Sequence, residues 1–171
     1  MKRKTLIIAE AGVNHNGRLS RAIKMVDIAA KAKADYIKFQ TFIPENLSQK
    51  NMNLAKYQKL NSKFSDQLKM LKKYSLNYDD FKKIKARCLK KKIKFMTSPF
   101  DEESLKILKK LKVKFVKIPS GEITNVPFLR SIGNMNKKVI LSTGMSNLKE
   151  IKLAIEILIK GGAKKNNISI L

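Results

Sequence analysis

The chain has 171 residues, of which 43% are hydrophobic and 30% charged, a composition typical of a folded globular protein and not of a disordered one. No apolar run approaches the roughly 20 residues of a membrane-spanning helix. The short apolar run near the N-terminus is interrupted at Glu10, which argues against a signal peptide. The single cysteine, Cys88, excludes an internal disulfide and indicates a reducing, cytoplasmic location.

The formal net charge of +25 raises the question of nucleic-acid binding. The excess is almost entirely lysine, whereas arginine, the better reader of bases and phosphates, occurs at only five positions. The lysines are spread over every predicted helix, and no aromatic RNA-binding signature or metal-finger spacing is present. We therefore expect no specific nucleic-acid partner and only weak binding to polyanions, with a basic nucleic-acid-binding protein as an alternative.

Strand-like and helix-like segments alternate along the chain, which predicts a parallel sheet with right-handed crossovers. The predicted strands are Thr5–Ala9, Asp35–Thr41, Ile93–Thr97, Lys114–Ile118, Lys138–Leu141 and Ile168–Leu171. The predicted helices run from a Ser20 cap to about Lys31, from Ser65 to Tyr74, from Tyr78 to about Lys91, from Asp101 to Leu111, from Val126 to Ile132, and from a Ser146 cap to Gly161 and Gly162.

Six strand–helix units without a glycine-rich dinucleotide loop favour a (β/α)8 TIM barrel over a doubly wound sheet. Because six of eight strands are present, we expect residues 1–171 to be a partial barrel, truncated within about its sixth strand. On its own, such a segment is expected to be inactive and marginally stable. The long connection from Phe42 to Asn77 is either a lid or substrate wall or a loop without a function.

Polar residues follow successive predicted strands at the end where parallel α/β proteins place their chemistry. These residues are Glu10, Lys38, Gln40, Thr97, Ser98, Lys117, Ser120, Glu122, Ser142 and Thr143. A lysine inside a barrel is costly unless it meets an anion, so Lys38 and Lys117 indicate a phosphate or carboxylate ligand; solvated strand ends are the alternative. His15 is the only histidine, so neither a histidine-rich metal site nor a Ser–His pair can form within this segment.

Five motifs resemble the amino-terminal barrel of the sialic acid synthases, which make N-acetylneuraminate, legionaminate or pseudaminate from phosphoenolpyruvate. They occur in the family's order: IIAEAGVNHNG (Ile7–Gly17), YIKFQ (Tyr36–Gln40), FMTSPFD (Phe95–Asp101), FVKIPSGEITN (Phe115–Asn125) and ILSTGM (Ile140–Met145). The SGE of the fourth motif is more similar to the neuraminate and legionaminate synthases than to the pseudaminate synthases.

The resemblance implies a transferase in which phosphoenolpyruvate adds through its methylene carbon to the aldehyde of an open-chain N-acylated mannosamine-type sugar. Water then attacks C2, and phosphate leaves by C–O cleavage. By motif, the residues that hold phosphoenolpyruvate would be Lys38, Gln40, Ser98, Lys117, Ser120, Glu122 and Ser142. The catalytic residues would be Glu10, Lys38, Lys117 and Glu122, with Glu10 facing the sugar. The family more often has Ser-Thr where this chain has Thr97-Ser98.

The resemblance also implies a divalent metal, Mn²⁺ or Mg²⁺, held by two histidines expected downstream of residue 171, with no metal ligand in this segment. An antifreeze-like C-terminal domain of the partner subunit would cover the sugar, so the full-length protein is expected to be a homodimer without a membrane partner. A second enzyme class stays open, namely another phosphoenolpyruvate-dependent keto-sugar-acid synthase. The acceptor sugar, neuraminate type or legionaminate type, is left open.

Overall fold

The computed structural model describes residues 5–49, 52 and 64–171 as strands that alternate with helices. The strands are β1 (Ile8–Gly12), β2 (Tyr36–Thr41), β3 (Lys94–Pro99), β4 (Phe115–Ile118), β5 (Lys138–Leu141) and β6 (Ile168–Ile170). The α-helices are α1 (Leu19–Lys31), α2 (Pro44–Leu47), α3 (Gln67–Tyr74), α4 (Tyr78–Lys90), α5 (Glu102–Lys110), α6 (Val126–Gly133) and α7 (Leu148–Lys160). None of the helices in these ranges is both long and apolar enough to cross a membrane.

All strand pairs are parallel, as the alternation of strands and helices predicts. The strands form two three-stranded sheets, ordered β1-β2-β3 and β4-β5-β6, and β4 lies beside β3. The six strands therefore lie side by side in the same order as they occur in the sequence. The carboxyl ends of β1 to β6 consequently lie at one end of the structure, where each of β1 to β5 leads into the segment before the next helix.

The strands carry apolar residues on both faces, and the two faces contribute to different cores. The larger core lies between strands and helices and includes Phe39, Val116 and Ile118. A smaller cluster on the opposite face joins residues of five consecutive strands: Ile8, Tyr36, Met96, Phe115 and Ile140. Because residues of both sheets meet in this cluster, the two sheets share this side of the strands, which we call the interior face.

The first strand begins three residues later than the sequence predicts. Thr5–Ile7 lie outside it, because the carbonyl of Ile7 accepts the backbone N–H groups of Asp35 and Tyr36 just before strand pairing begins. Pairing starts at Ile8, opposite Tyr36, and continues past Glu10 to Gly12, with a register shift between the last two. Glu10 thus lies within β1 and not after it.

Both serine caps were wrong predictions. Helix α1 begins at Leu19 after Arg18, whose side chain makes no capping hydrogen bond. Helix α7 is capped by Asn147, which forms a reciprocal capping box with Glu150, whereas the hydroxyl of Ser146 bonds to the Gly144 carbonyl. The remaining predicted elements occur within a few residues of their predicted limits, although β3 extends through Pro99.

Cys88 lies on α4 and is 1% exposed within the larger core. Burial raises the pKa of its thiol to about 12. A thiol with such a pKa is protonated at neutral pH and inert, because the thiolate is the reactive form. Cys88 is therefore a packing residue, as the sequence predicts.

Candidate active site

The site is centred on Lys38, which β2 places on the interior face together with Tyr36. Its side chain is almost fully buried, and its Nζ lies 2.6 Å from Glu10 Oε2 on β1. The same ammonium donates a hydrogen bond of 3.3 Å to Ser98 Oγ on β3. Parallel pairing explains this meeting, since Glu10 stands directly opposite Lys38. Three neighbouring strands thus each contribute one polar group.

Lys117 extends the positive charge to β4. It alternates with the outward Val116 and Ile118, so it shares the interior face with Phe115. Burial lowers the pKa of Lys117, the charge of Lys38 lowers it further, and the charge of Glu10 opposes the shift. Two ammonium groups therefore lie close together with only one carboxylate, an arrangement that favours a bound anion.

A bulge in β1 makes room at this site for Glu10 and Gln40. Gly12 has a left-handed φ of +51°, and a Cβ there would lie 3.4 Å from Glu10 Oε1 and 3.8 Å from Gln40 Nε2. A side chain at this position would be strained by the left-handed backbone and would be in van der Waals contact with both groups. Gln40 pairs with Ser98 in the strand register, which puts its amide one layer above Lys38.

The remaining predicted site residues lie where β4 and β5 end. Ser120 and Glu122 belong to a short 3-10 helix directly after β4. A Cβ on Gly144 would lie 3.4 Å from Ser120 Oγ, so Ser120 lies beside the segment after β5. The backbone N–H of Ser142 donates to the Ile118 carbonyl at 3.1 Å. Glu122 Oε2 accepts a hydrogen bond of 2.8 Å from Asn125.

Two threonines included in the predicted ring of polar residues have other contacts. Thr97 alternates with Ser98 and points away from the interior, where its Oγ1 lies 2.7 Å from Thr41 Oγ1 and is fully buried. This bond fastens β2 to β3 behind the site. Thr143 donates its hydroxyl to the Leu171 carbonyl at 2.7 Å. Thr97 therefore does not face the interior, which corrects its place among the predicted polar residues of the site, whereas Thr143 lies at the carboxyl ends of β5 and β6, as predicted.

Asp101 is a residue whose importance at this end of the strands the sequence analysis missed. Its carboxylate caps α5 by accepting the Ser104 N–H at 2.8 Å, and it also accepts the Ser104 hydroxyl at 2.8 Å. The same group accepts the Ile43 N–H at 2.8 Å and the Asn46 amide at 3.4 Å. Asp101 thus fastens the segment after β2 to the segment after β3. Its cap position was visible in the sequence, but the long-range bonds were not.

The connection after β2 is folded against this end of the structure where it is described. An ion pair of 2.9 Å joins Lys72 on α3 to Glu45 on α2. Ser48 Oγ donates to Gln67 Oε1 at 3.0 Å. Residues 50, 51 and 53–63 lie outside the described residues. The prediction that this connection forms a lid or a substrate wall therefore rests on the contacts made by its two ends.

His15 lies in the turn after β1 and is 1% exposed. Its Nδ1 accepts the Gly17 N–H at 3.1 Å, and its ring lies 6.0 Å from that of Phe39. Burial lowers the pKa of His15, with Asp80 acting in the opposite direction, so the ring is neutral and its proton is on Nε2. The described residues contain no group of three histidine, cysteine, aspartate or glutamate side chains that could hold a metal ion.

Comparisons with known proteins identify the family. The NeuB family model matches residues 25–171. The chain is 48% identical over 170 residues to the N,N'-diacetyllegionaminic acid synthase of Campylobacter jejuni, covering 99% of this chain and 51% of that protein. It is 45% identical over 151 residues to the synthase of the same name from Legionella pneumophila, covering 88% of this chain and 42% of that one.

A solved structure agrees with this assignment. The N-acetylneuraminic acid (sialic acid) synthetase from Leptospira borgpetersenii, in complex with citrate, matches 97% of this chain and 53% of its own, with a TM-score of 0.82 and 33% identity. The chain spans about half the length of the curated relatives it matches. These matches confirm the resemblance to the sialic acid and legionaminate synthases, and the chain belongs to the NeuB family.

Proposed function

We propose that this chain supplies the phosphoenolpyruvate site of an enzyme that joins phosphoenolpyruvate to an N-acylated mannosamine-type sugar. The products are a nine-carbon nonulosonic acid and phosphate. The observation that carries the proposal is the cluster of Lys38, Lys117, Glu10 and Ser98 at the carboxyl ends of four neighbouring strands, in which Lys38 and Ser98 are buried. The names of the two legionaminic acid synthases support the same reaction class.

The proposed fold is the leading part of a (β/α)8 barrel. Parallel strands in chain order, two sheets side by side and an interior cluster drawn from five strands all support it. Within such a barrel the segment after each strand opens on one mouth. The long connection after β2, fastened by Asp101 and by the Lys72–Glu45 pair, would form one wall of that mouth.

Phosphoenolpyruvate carries a phosphate and a carboxylate, and the site offers two ammonium groups for them. Each charge-assisted hydrogen bond contributes roughly 1.5–3 kcal/mol. Lys38 is held in place by Glu10 and Ser98 before the ligand arrives, so little side-chain freedom remains to be lost. Gln40, Ser120, Ser142 and Glu122 are the proposed additional contacts, as the family resemblance implies.

Glu10 is the proposed group on the sugar side of the cluster. Its side chain is 55% exposed although one oxygen contacts Lys38, so the carboxylate remains open to a second ligand. In the condensation, a carbon–carbon bond forms between the methylene of phosphoenolpyruvate and the sugar aldehyde. Water adds at C2, and the C2–O bond to phosphate breaks. The two ammonium groups stabilise the departing phosphate in this step.

The decisive assay follows the bridging oxygen of phosphoenolpyruvate. The protein is extended to the length of its relatives and incubated with Mn²⁺, phosphoenolpyruvate labelled with ¹⁸O at the C–O–P bridge, and N-acetylmannosamine or its diacetamido analogue. We expect labelled phosphate and a nonulosonic acid by mass spectrometry. Unlabelled phosphate, or a product with a different number of carbons, would overturn the proposal. The inactivity of the 171 residues alone stays a prediction that the same assay tests.

A further inference from the structure

The opposite end of the strand interior carries a second concentration of positive charge. A groove of about 500 Å³ crosses the amino-terminal ends of β2 to β5. Its lysines are Lys94, Lys112, Lys114, Lys137 and Lys138. We call this feature the amino-terminal groove. It lies at the end of the strands away from Ser98 and Gln40, and none of its residues takes part in the proposed condensation.

The floor of the amino-terminal groove is formed by two aromatic rings that position two of its lysines. Tyr36 and Phe115 meet edge to face with their centroids 5.5 Å apart. The ammonium of Lys94 lies 5.2 Å from the Tyr36 centroid, and that of Lys138 lies 5.7 Å from the Phe115 centroid. Cation–π attraction therefore favours positions of both exposed ammonium groups above the floor, by about 0.5–1 kcal/mol each.

No carboxylate neutralises these lysines within the residues that the structure describes. None of the five takes part in an ion pair there, and no aspartate or glutamate lines the groove. Asp35, which precedes the groove residue Tyr36, accepts the Ile7 N–H at 2.9 Å, and its charge adds to the effect of burial in raising the pKa of Tyr36. Lysines are often found at helix C-termini because the helix dipole attracts a positive charge there. This does not explain the groove lysines, since Lys94, Lys114, Lys137 and Lys138 lie outside the helices.

We propose that the amino-terminal groove binds a small anion with several phosphate groups, of the triphosphate class. Its volume matches that of small-ligand sites, and its five ammonium groups, none of them in an ion pair with a described residue, suit a chain of phosphate groups. Recognition is of the phosphate chain and not of a nucleic acid: the groove has no arginine, and its two rings lie under lysines instead of being free for base stacking.

The groove is separate from the phosphoenolpyruvate site. Tyr36 and Lys38 are two residues apart on β2, as are Phe115 and Lys117 on β4, so the two ends are about 7 Å apart along each strand. The Tyr36–Phe115 pair, with Met96 beside it, fills the space between them. The two sites therefore share no side chain, but two anions at this distance repel each other, so we expect each to weaken the binding of the other when both sites are titrated together.

The test is calorimetric titration with inorganic tripolyphosphate at physiological salt. We expect saturable one-to-one binding that weakens by about tenfold or more in the double variant Lys94→Gln/Lys138→Gln. The control is Lys24→Gln/Lys152→Gln, which removes the same charge from exposed helix positions; its affinity should change by less than about threefold. Equal losses in both variants would mean that only the overall positive field attracts the anion, and the site would be rejected.

Two further measurements show which kind of phosphate compound the groove prefers and test the groove in the unaltered protein. A nucleoside triphosphate that binds as tightly as tripolyphosphate supports recognition of the phosphate chain alone. Much tighter binding of duplex RNA than of tripolyphosphate contradicts the proposal.

In the unaltered protein, tripolyphosphate should protect Lys94 and Lys138 from acetylation, which is measured by mass spectrometry, while Lys24 and Lys152 remain reactive. Uniform reactivity of all four would overturn the assignment.

Discussion

Glu10 Oε2 lies 2.6 Å from Lys38 Nζ, so one of the two site lysines is already paired before any ligand binds. An incoming phosphoenolpyruvate anion must share Lys38 with this carboxylate and is repelled by it. Glu10→Gln should therefore tighten phosphoenolpyruvate binding by about three- to tenfold, while sugar-dependent turnover falls. Calorimetry and phosphate release measure the two effects. Glu103→Gln, which makes the same charge change on the exposed face of α5, should change neither. Weaker binding in Glu10→Gln would contradict this account.

The second prediction concerns Lys117. Lys117→Met should weaken phosphoenolpyruvate binding by about ten- to a hundredfold, the value of a charged contact of roughly 1.5–3 kcal/mol. The free protein should become more stable towards urea, because the partly buried ammonium no longer faces Lys38. Lys24→Met provides the control, since it removes a lysine from an exposed position on α1. Unchanged phosphoenolpyruvate affinity in folded Lys117→Met would remove this residue from the site.

The third prediction is a pH dependence with a defined sign. The pKa of Lys117 is lowered from its usual value of 10.5 by burial and then by Lys38. Between the lowered pKa and 10.5, the unfolded chain binds more protons than the folded one, so this group's contribution to the free energy of unfolding rises with pH. Phosphoenolpyruvate affinity changes in the opposite direction, because deprotonation removes the charge. The alkaline loss of affinity should be shallower in Lys117→Met, and parallel profiles for the two proteins would contradict the assignment.

The fourth prediction concerns Asp101, whose hydrogen bonds join the segment after β2 to the segment after β3. Asp101→Asn replaces one accepting oxygen with a donor that faces the Ile43 and Ser104 donors, so we expect a loss of about 1–3 kcal/mol in the free energy of unfolding. Asp66→Asn is the matched control, because Asp66 also caps a helix but its carboxylate bonds only nearby groups of its own segment. It should cost less than about 0.5 kcal/mol, since asparagine is an equivalent cap. Urea unfolding followed by circular dichroism compares the two variants.

The fifth prediction concerns the net charge of +25. Binding to duplex DNA or RNA at physiological salt should be weak, indifferent to sequence and steeply reduced by added salt. Fluorescence anisotropy with two unrelated duplexes of equal length measures this directly. A nanomolar complex that prefers one of the duplexes would revive the nucleic-acid-binding alternative.

The sequence predicts much of this architecture because helix and strand periods are local properties. Alternation along β2 and β4 correctly places Lys38 and Lys117 on the face that becomes the interior. The sequence-based prediction groups Thr97 with Ser98 among the polar residues of the strand ends, whereas the two side chains lie on opposite faces of β3. The missed features depend on distant partners. The start of β1 is decided by where β2 can pair, and the role of Asp101 depends on the path of the segment after β2.

The burial of Cys88 has a practical consequence for measuring ligand binding. It is the only cysteine in the chain, and its protonated, enclosed thiol should resist maleimides at neutral pH. A Cβ on Gly121 would have no heavy atom within 4 Å, and its backbone is not in the left-handed region. Gly121→Cys would therefore provide a uniquely labelled position between Ser120 and Glu122. A fluorophore there would signal occupancy of the phosphoenolpyruvate mouth without removing any of the native cysteine packing.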